Sequence, residues 1–519
     1  MTLAFPNKYA IGITSLGYQI IWATLAQRKD VDVRRLFTDQ SDIPHRSNDL
    51  FGISLSWELD GPVLLDLLEK NKIPIWSNER SDQDPIVFGG GQVLTANPEP
   101  FAPFLDVVLL GDGENLMPTF INKMNTIKDL SRFNKLKELA QIPGIYIPIF
   151  YQPQYDNNGK LLTIKPITHE IPETITKQTW KQNTLSHSTV ITPDAAWPNI
   201  HMVEVVRSCP ELCRFCLASY LNLPFRTSSV EGSLIPAIEK GFAITKRIGL
   251  LGASVTQHPE FEELIDWLNN DHFNDMRLSL SSVRATTVNP KLTKLLSRRN
   301  SKSITIAIES GSEKIRDIIN KKITEEEILT AAKYAKEGGL KGLKLYGMVG
   351  LPQENEDDIE ATIKLLIKLK DQNPGLRITF GVSTFVPKAH TPFQWFGVRA
   401  EAKNRLKKLT KYLKPKGIQF RPESYGWSII QALISRSDRR LAQVIPLVRG
   451  SHNSLGGWKQ AYKIIQEKNT NSKSKEQLPS WEDVIHSQWD HEQVLPWAHL
   501  LGPLQSKQLI NHQKKALEL

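Results

Sequence analysis

Met202-Val-Glu-Val-Val206-Arg-Ser-Cys209-Pro-Glu-Leu-Cys213-Arg-Phe-Cys216 decides how this chain is read. Its first residues form a candidate buried strand, and all three cysteines of the 519-residue chain fall in its last eight positions. Thiols kept only for packing would be scattered, and the reactivity of cysteine usually decides where it is retained. A structural zinc site needs four ligands, normally in Cys or His pairs. No second Cys-x2-Cys or His-x3-His completes one, and His201 lies at the start of the preceding strand. Three soft thiolates on one turn, leaving one iron open, suit an iron–sulfur cluster.

Outward from this turn the chain alternates strand and helix. Apolar runs at 202–206, 248–251, 277–280, 304–308, 342–349 and 378–385 predict strands, with helical periodicity at 230–246, 260–269, 290–296, 313–319, 325–336 and 357–369. Six β/α repeats over 201–395 predict a full or partial (β/α)6 TIM-like barrel with its active site at the strand C-termini. Residues 1–125 predict a doubly wound, Rossmann-like α/β domain. Its strands are expected at 9–13, 31–33, 50–55, 86–88 and 106–110, with glycine-rich ends at Gly89-Gly90-Gly91 and Gly111-Asp-Gly-Glu114. Prolines punctuate 126–200, which reads as a linker with a small β-hairpin. Residues 396–519 read as a helical extension with a polar loop at 468–477.

The composition excludes several classes. With 40% hydrophobic and 23% charged residues the chain is not disordered overall, and three cysteines cannot build a disulfide scaffold. No apolar run of about 18 residues predicts a membrane span, and the first residues lack a signal-peptide pattern. The expectation is a soluble, cytoplasmic protein. The net charge of +10 permits anionic partners without requiring them. The densest basic stretch runs from Lys403 to Arg421. Leu406, Leu409 and Leu413 interleave there, so it reads as a solvated helix face, with an RNA contact as the alternative.

Cys209-x3-Cys213-x2-Cys216, with Phe215 before the last cysteine and a barrel strand before the first, resembles the radical S-adenosylmethionine (SAM) superfamily. The resemblance implies a [4Fe–4S] cluster on Cys209, Cys213 and Cys216, with SAM chelated at the open iron. It implies reductive cleavage of SAM to methionine and a 5′-deoxyadenosyl radical, with a reductant such as flavodoxin or ferredoxin. By the same resemblance Gly252-Ala253-Ser254 stands where a Gly-Gly-Glu-like turn receives the SAM amino group, without its carboxylate. Glu309 and Ser310 correspond to contacts with the SAM ribose and carboxylate, and Gly347 and Gly350 to an adenine-packing turn ending at Glu354. Two further candidates come from their places at strand ends. His390 is expected at the barrel mouth as an acid or base, with packing on Pro392 and Trp395 as the alternative. Arg284 is expected to pair with an anionic substrate or the SAM carboxylate, with a surface ion pair as the alternative.

Pro6-Asn-Lys-Tyr9, Asn97-Pro-Glu-Pro100, Gly111-Asp-Gly-Glu114, the 385–395 segment and Ser435-Arg-Ser-Asp-Arg-Arg440 narrow the resemblance. They are similar to radical SAM proteins with a B12-binding-like N-terminal domain and barrels related to methylthiotransferases. Methylthiotransferases carry a second cysteine trio, which this chain lacks. The Asp-x-His-x-x-Gly motif that places a histidine under cobalt is also missing. His45, the lone histidine of the first 150 residues, has no glycine three positions on and reads as a solvated loop residue. Cobalamin in the Gly89-Gly90-Gly91 crevice and a domain that has lost the corrinoid both remain open. The leading expectation is a radical SAM enzyme acting on an unidentified substrate, a macromolecule or a large metabolite. The alternatives are a cobalamin-dependent radical SAM methyltransferase, and an RNA-binding or assembly protein with a structural or redox-sensing cluster.

Overall fold

Short apolar strands build an N-terminal sheet in the computed structural model, which describes residues 1–39, 49–157, 159–471 and 476–518. β1 (Thr2–Ala4), β2 (Arg34–Leu36), β3 (Leu50–Ser54), β4 (Ile86–Gly90) and β5 (Val107–Leu109) are parallel, in the order β2-β1-β3-β4-β5. β6 (Ile145–Tyr146) adds antiparallel to β5. β1 and β5 are buried throughout, as expected of strands covered on both faces. The first strand lies before the expected 9–13, where the chain instead makes a helical turn, Tyr9–Gly12. The order reverses between β1 and β3. That switch point leaves a crevice beyond their C-termini, where the helix Leu16–Ala26 begins.

A hairpin of β7 (Tyr151–Tyr155) and β8 (Leu161–Pro166) occupies the expected linker, followed by the short β9 (Ile175–Thr176). The barrel comprises β10 (Ile200–Glu204), a small ribbon of β11 (Val206–Arg207) and β12 (Arg226–Thr227), then β13 (Arg247–Leu251) and β14 (Arg277–Leu280). It continues with β15 (Ser303–Glu309), β16 (Gly342–Val349) and β17 (Arg377–Thr384). Its sheet runs past residue 395 to a seventh strand, β18 (Gln419–Pro422), parallel to β17. Two parallel sheets, β10-β13-β14 and β15-β16-β17-β18, meet at a bridge between Val283 and Ile306. The result is a partial barrel with edges at β10 and β18. Leu343, Leu345 and Val349 of β16 pack outward into the core shared with the surrounding helices. Helix Ala402–Leu413 buries Leu406, Leu409 and Leu413 and exposes Lys403, Lys407 and Lys411, so most of the basic stretch is its solvated face.

The C-terminal extension folds back on the first domain. β19 (Leu500–Leu501) pairs with β9, and helices Tyr425–Arg436 and Leu455–Asn471 join the N-terminal core. The Ser435–Arg440 segment pins these units together. Arg439 donates to Glu99 at 2.8 Å and to the Tyr146 hydroxyl at 2.7 Å. The Asn97 amide donates to the carbonyls of Ser435 and Ser437. Glu58 takes hydrogen bonds from Lys388, Gln431 and Ser435. Among the described residues no helix is long and apolar enough to cross a membrane.

Candidate functional site

The ribbon of β11 and β12 brackets the cysteine turn and fixes its two ends. Ser208 and Leu212, immediately before Cys209 and Cys213, adopt left-handed backbone at φ 70° and 51°. Side chains rarely accept that region, and such strain persists where the surroundings over-determine it. Here they do. The Arg214 guanidinium donates to the carbonyls of Asp317 (2.8 Å) and Ile318 (2.7 Å), closing the exposed end of helix Glu313–Ile318. Asn320 donates to the carbonyls of Glu211 and Leu212, both at 3.0 Å. Glu211 in turn receives Gln257 at 2.5 Å and Arg284 at 3.2 Å.

Arg284 also donates to the carbonyls of Lys321 and Lys322, at 3.0 and 2.6 Å. Its guanidinium is therefore taken up by the cysteine turn and the segment behind it.

Cys213 is buried and Cys209 and Cys216 are half-buried. Burial pushes the Cys213 thiol up to about 12, with Lys321 pulling it down and the other two thiols adding to the rise. Burial also raises Cys216, against hydrogen bonding from Ser219. Burial alone would lower Lys321, but Glu309, 2.9 Å away, and the thiols Cys213 and Cys216 hold its ammonium charged. The three sulfurs thus share one electrostatic neighbourhood backed by a cation. Losing their protons together demands more positive charge than Lys321 supplies, and bound iron is the kind of charge that does it. Among the described residues no three His, Cys, Asp or Glu side chains are arranged around a single ion.

A cavity of about 500 Å³ opens between the strand ends of the N-terminal sheet and the barrel mouth. The first domain contributes Ser15–Tyr18 at the switch point, with Ser54, Ser56, Gly90 and Gly91. The barrel contributes Arg207, Ser208, Gly252 and Ala253, so the cavity reaches the residue before Cys209. Gly252 is forced: a Cβ there would stand 2.7 Å from the Val206 carbonyl oxygen. A Cβ on Gly91 would come within 2.4 Å of the Leu55 carbonyl oxygen, whereas Gly90 has ordinary room. Of these two, Gly91 is needed for the fold itself and Gly90 leaves space beside the cavity.

The remaining candidates are dispersed around the turn. Phe215 packs on the cluster of Phe385, Phe393 and Phe396. Glu309 has left-handed backbone at φ 65°, and the Ser310 carbonyl is held by Arg316 at 3.0 Å. Gly347 lies against the Glu309 carbonyl, and the Gly350 N–H donates to the Glu354 carboxylate at 2.6 Å. His390 does not line the cavity. It is buried beside Trp497 and Gly502, with Nε2 unpartnered, and burial pushes it down to about 4. His45 lies outside the described residues.

Sequence reasoning did not single out the arginines that tie the two domains across the cavity. Arg207 bonds Glu114 and Glu204, each at 2.7 Å, and pairs with Asp112 at 3.1 Å; Arg226 reaches Asp112 at 2.5 Å. Gly111-Asp-Gly-Glu114 was visible as a strand-end turn, but its partners lie about a hundred residues away, at separations of 93 and 114.

Comparison with known proteins supplies the rest. Residues 203–366 match the radical SAM superfamily, and residues 20–148 match the N-terminal family of radical SAM proteins. An uncharacterized protein of Methanocaldococcus jannaschii is 29% identical over 452 residues, covering 86% of this chain and 90% of its own. An uncharacterized methyltransferase of Pyrococcus horikoshii is 26% identical over 303 residues, 56% of this chain and 59% of that one. A tRNA-2-methylthio-N(6)-dimethylallyladenosine synthase of Anaplasma phagocytophilum is 26% identical over 46% of this chain and 56% of its own. Among solved structures, the radical SAM methyltransferase TsrM of Kitasatospora setae, with cobalamin and a [4Fe–4S] cluster bound, shares the fold. Its TM-score is 0.54 at 13% identity, over 76% of this chain and 73% of that one.

Proposed function

We propose that this enzyme, which carries a radical SAM domain behind a radical SAM N-terminal domain, holds a [4Fe–4S] cluster on Cys209, Cys213 and Cys216 and reductively cleaves SAM. The observation that carries the reading is the strained, heavily braced turn that gathers all three thiols where the interdomain cavity meets the barrel mouth. When bound, the reduced cluster supplies one electron to the sulfonium of SAM, giving methionine and a 5′-deoxyadenosyl radical. In this reading the Gly252–Ala253 backbone receives the SAM amino group. Glu309 and Ser310 face its ribose and carboxylate, and the Gly347–Gly350 turn packs on adenine. Phe215 anchors the turn to the aromatic cluster behind it. A low-potential donor such as flavodoxin or ferredoxin supplies the electron.

The test is anaerobic reconstitution with iron and sulfide, addition of SAM and dithionite, and mass spectrometry of the products. The expected product is 5′-deoxyadenosine, lost together with bound iron in Cys213→Ala. A correctly loaded cluster that yields no 5′-deoxyadenosine with or without candidate substrates, or a Cys213→Ala protein that still turns over, overturns the reading.

A second reading, methyl transfer through cobalamin, is favoured by one observation. The cavity lies beyond the switch-point strand ends, where doubly wound domains hold ligands, and it faces the cysteine turn. The solved relative TsrM has cobalamin bound. Corrinoid retained after reconstitution, with S-adenosylhomocysteine among the products, would select this reading.

A further inference from the structure

A second hollow, of about 440 Å³, lies on the other side of the segment that leaves β3. Ser54 and Ser56 face the interdomain cavity, while Trp57, Leu59 and Asp60 line this hollow. Its opposite wall is the segment after β18, with Glu423, Trp427 and Gln431. The two indoles are 46% and 39% exposed, a large apolar surface to leave wet around one hollow.

The charge pattern is as distinctive. In a chain with a net charge of +10, no Lys, Arg or His among the described residues lines this hollow, and it holds two carboxylates. Asp60 precedes helix Gly61–Lys70 but its side chain does not cap it; its hydrogen bond comes from the Asn7 amide at 3.0 Å. Neither Asp60 nor Glu423 has a cationic partner among the described residues. Burial raises both carboxyls, Asp60 to about 6, as for acids short of a counter-charge. Indoles and carboxylates without a cationic partner around one hollow are the elements that recognise an organic cation, the rings through their negative faces and the acids through charge.

We propose that this hollow binds an organic cation, an alkylated ammonium or guanidinium group, between Trp57 and Trp427 with Asp60 and Glu423 as its counter-charges. The Ser54–Asp60 segment separates the hollow from the interdomain cavity and gives residues to both. A nucleotide would use the same indoles through its base, but its phosphate would meet two carboxylates and, among the described residues, no cation.

The test uses the full-length protein without reconstitution or SAM, so its outcome is independent of the cluster chemistry. Tryptophan fluorescence is followed on titration with tetramethylammonium and with N-acetylarginine amide, against neopentyl alcohol as the neutral isostere and adenosine monophosphate as the anionic ring. The expected result is a saturable change with at least one cation and none with the two controls. Affinity should fall about tenfold or more in Asp60→Asn and in Trp427→Ala, with unchanged circular dichroism. Glu423→Gln should weaken binding in the same direction and serves if either other variant misfolds. Equal binding of the alcohol or the nucleotide, unaltered affinity in the carboxamide variants, or no saturable change with either cation overturns the proposal.

Discussion

Arg284 illustrates how a single side chain can be asked two questions. Its guanidinium bridges Glu211 of the cysteine turn and two carbonyls of the segment behind it. Replacing it with methionine keeps the bulk and removes the bonds. Freeing partly buried partners of this kind costs about 1–3 kcal/mol each. Arg284→Met is therefore expected to lower iron loading and slow reconstitution while leaving the KM for SAM unchanged in the fraction that loads. A raised KM at full iron content would instead place the guanidinium on SAM itself. His390 shows the opposite case, since it looked like a mouth residue but is enclosed by Trp497 and Gly502. Those partners come from more than a hundred residues downstream, a distance over which local spacing carries no signal.

At the scale of elements, capping and burial explain most of what could be read in advance. Helix Glu356–Gln372 starts at Asn355, whose side chain accepts from the N–H groups of Asp357 and Asp358, while Asp358 returns the bond to Asn355. Asn355→Ala is expected to cost about 1 kcal/mol, measurable as a lower urea midpoint at unchanged slope. β13 to β17 were legible within one or two residues because each is an apolar run closed by a turn and followed by a strongly periodic helix. β1 was not, because Tyr9–Ile13 has as much apolar character as Thr2–Ala4 and only pairing with β2 and β3 decides between them. β18 escaped notice because four residues, Gln419-Phe-Arg-Pro422, bury one side chain. The place of the cysteine turn after the first barrel strand was legible; the braces that hold it, Arg214, Asn320 and Arg284, act on distant carbonyls that sequence does not display.

Across the whole molecule, buried polar contacts join the units alongside apolar ones. Glu99 is wholly enclosed, with Arg439 as its cation and the Tyr146 hydroxyl beside it. Arg439→Met would strand that carboxylate, and losing one partner of a buried pair costs about 3–5 kcal/mol. The expected readout is a marked fall in urea stability, with the N-terminal domain loosening first in hydrogen exchange. Acid should weaken the same region. Burial holds His390 and His499 down to about 4, so both stay neutral when folded, whereas the unfolded chain takes up their protons below about 6.5. Stability should therefore fall as pH drops from 6.5 toward 4, by about 1.4 kcal/mol per unit for each imidazole. A shallower melting-temperature profile over that range in His499→Leu is the check.

The braced turn also implies an order of events during synthesis. Its cysteines emerge first, but the carbonyls that Arg214 grips arrive 103 and 104 residues later. At about 5–20 residues per second the thiols spend several seconds outside the ribosome with no scaffold to hold their spacing. Iron delivered in that interval meets a floppy peptide, so productive insertion belongs after the second half of the barrel has closed, and oxidant protection belongs before it.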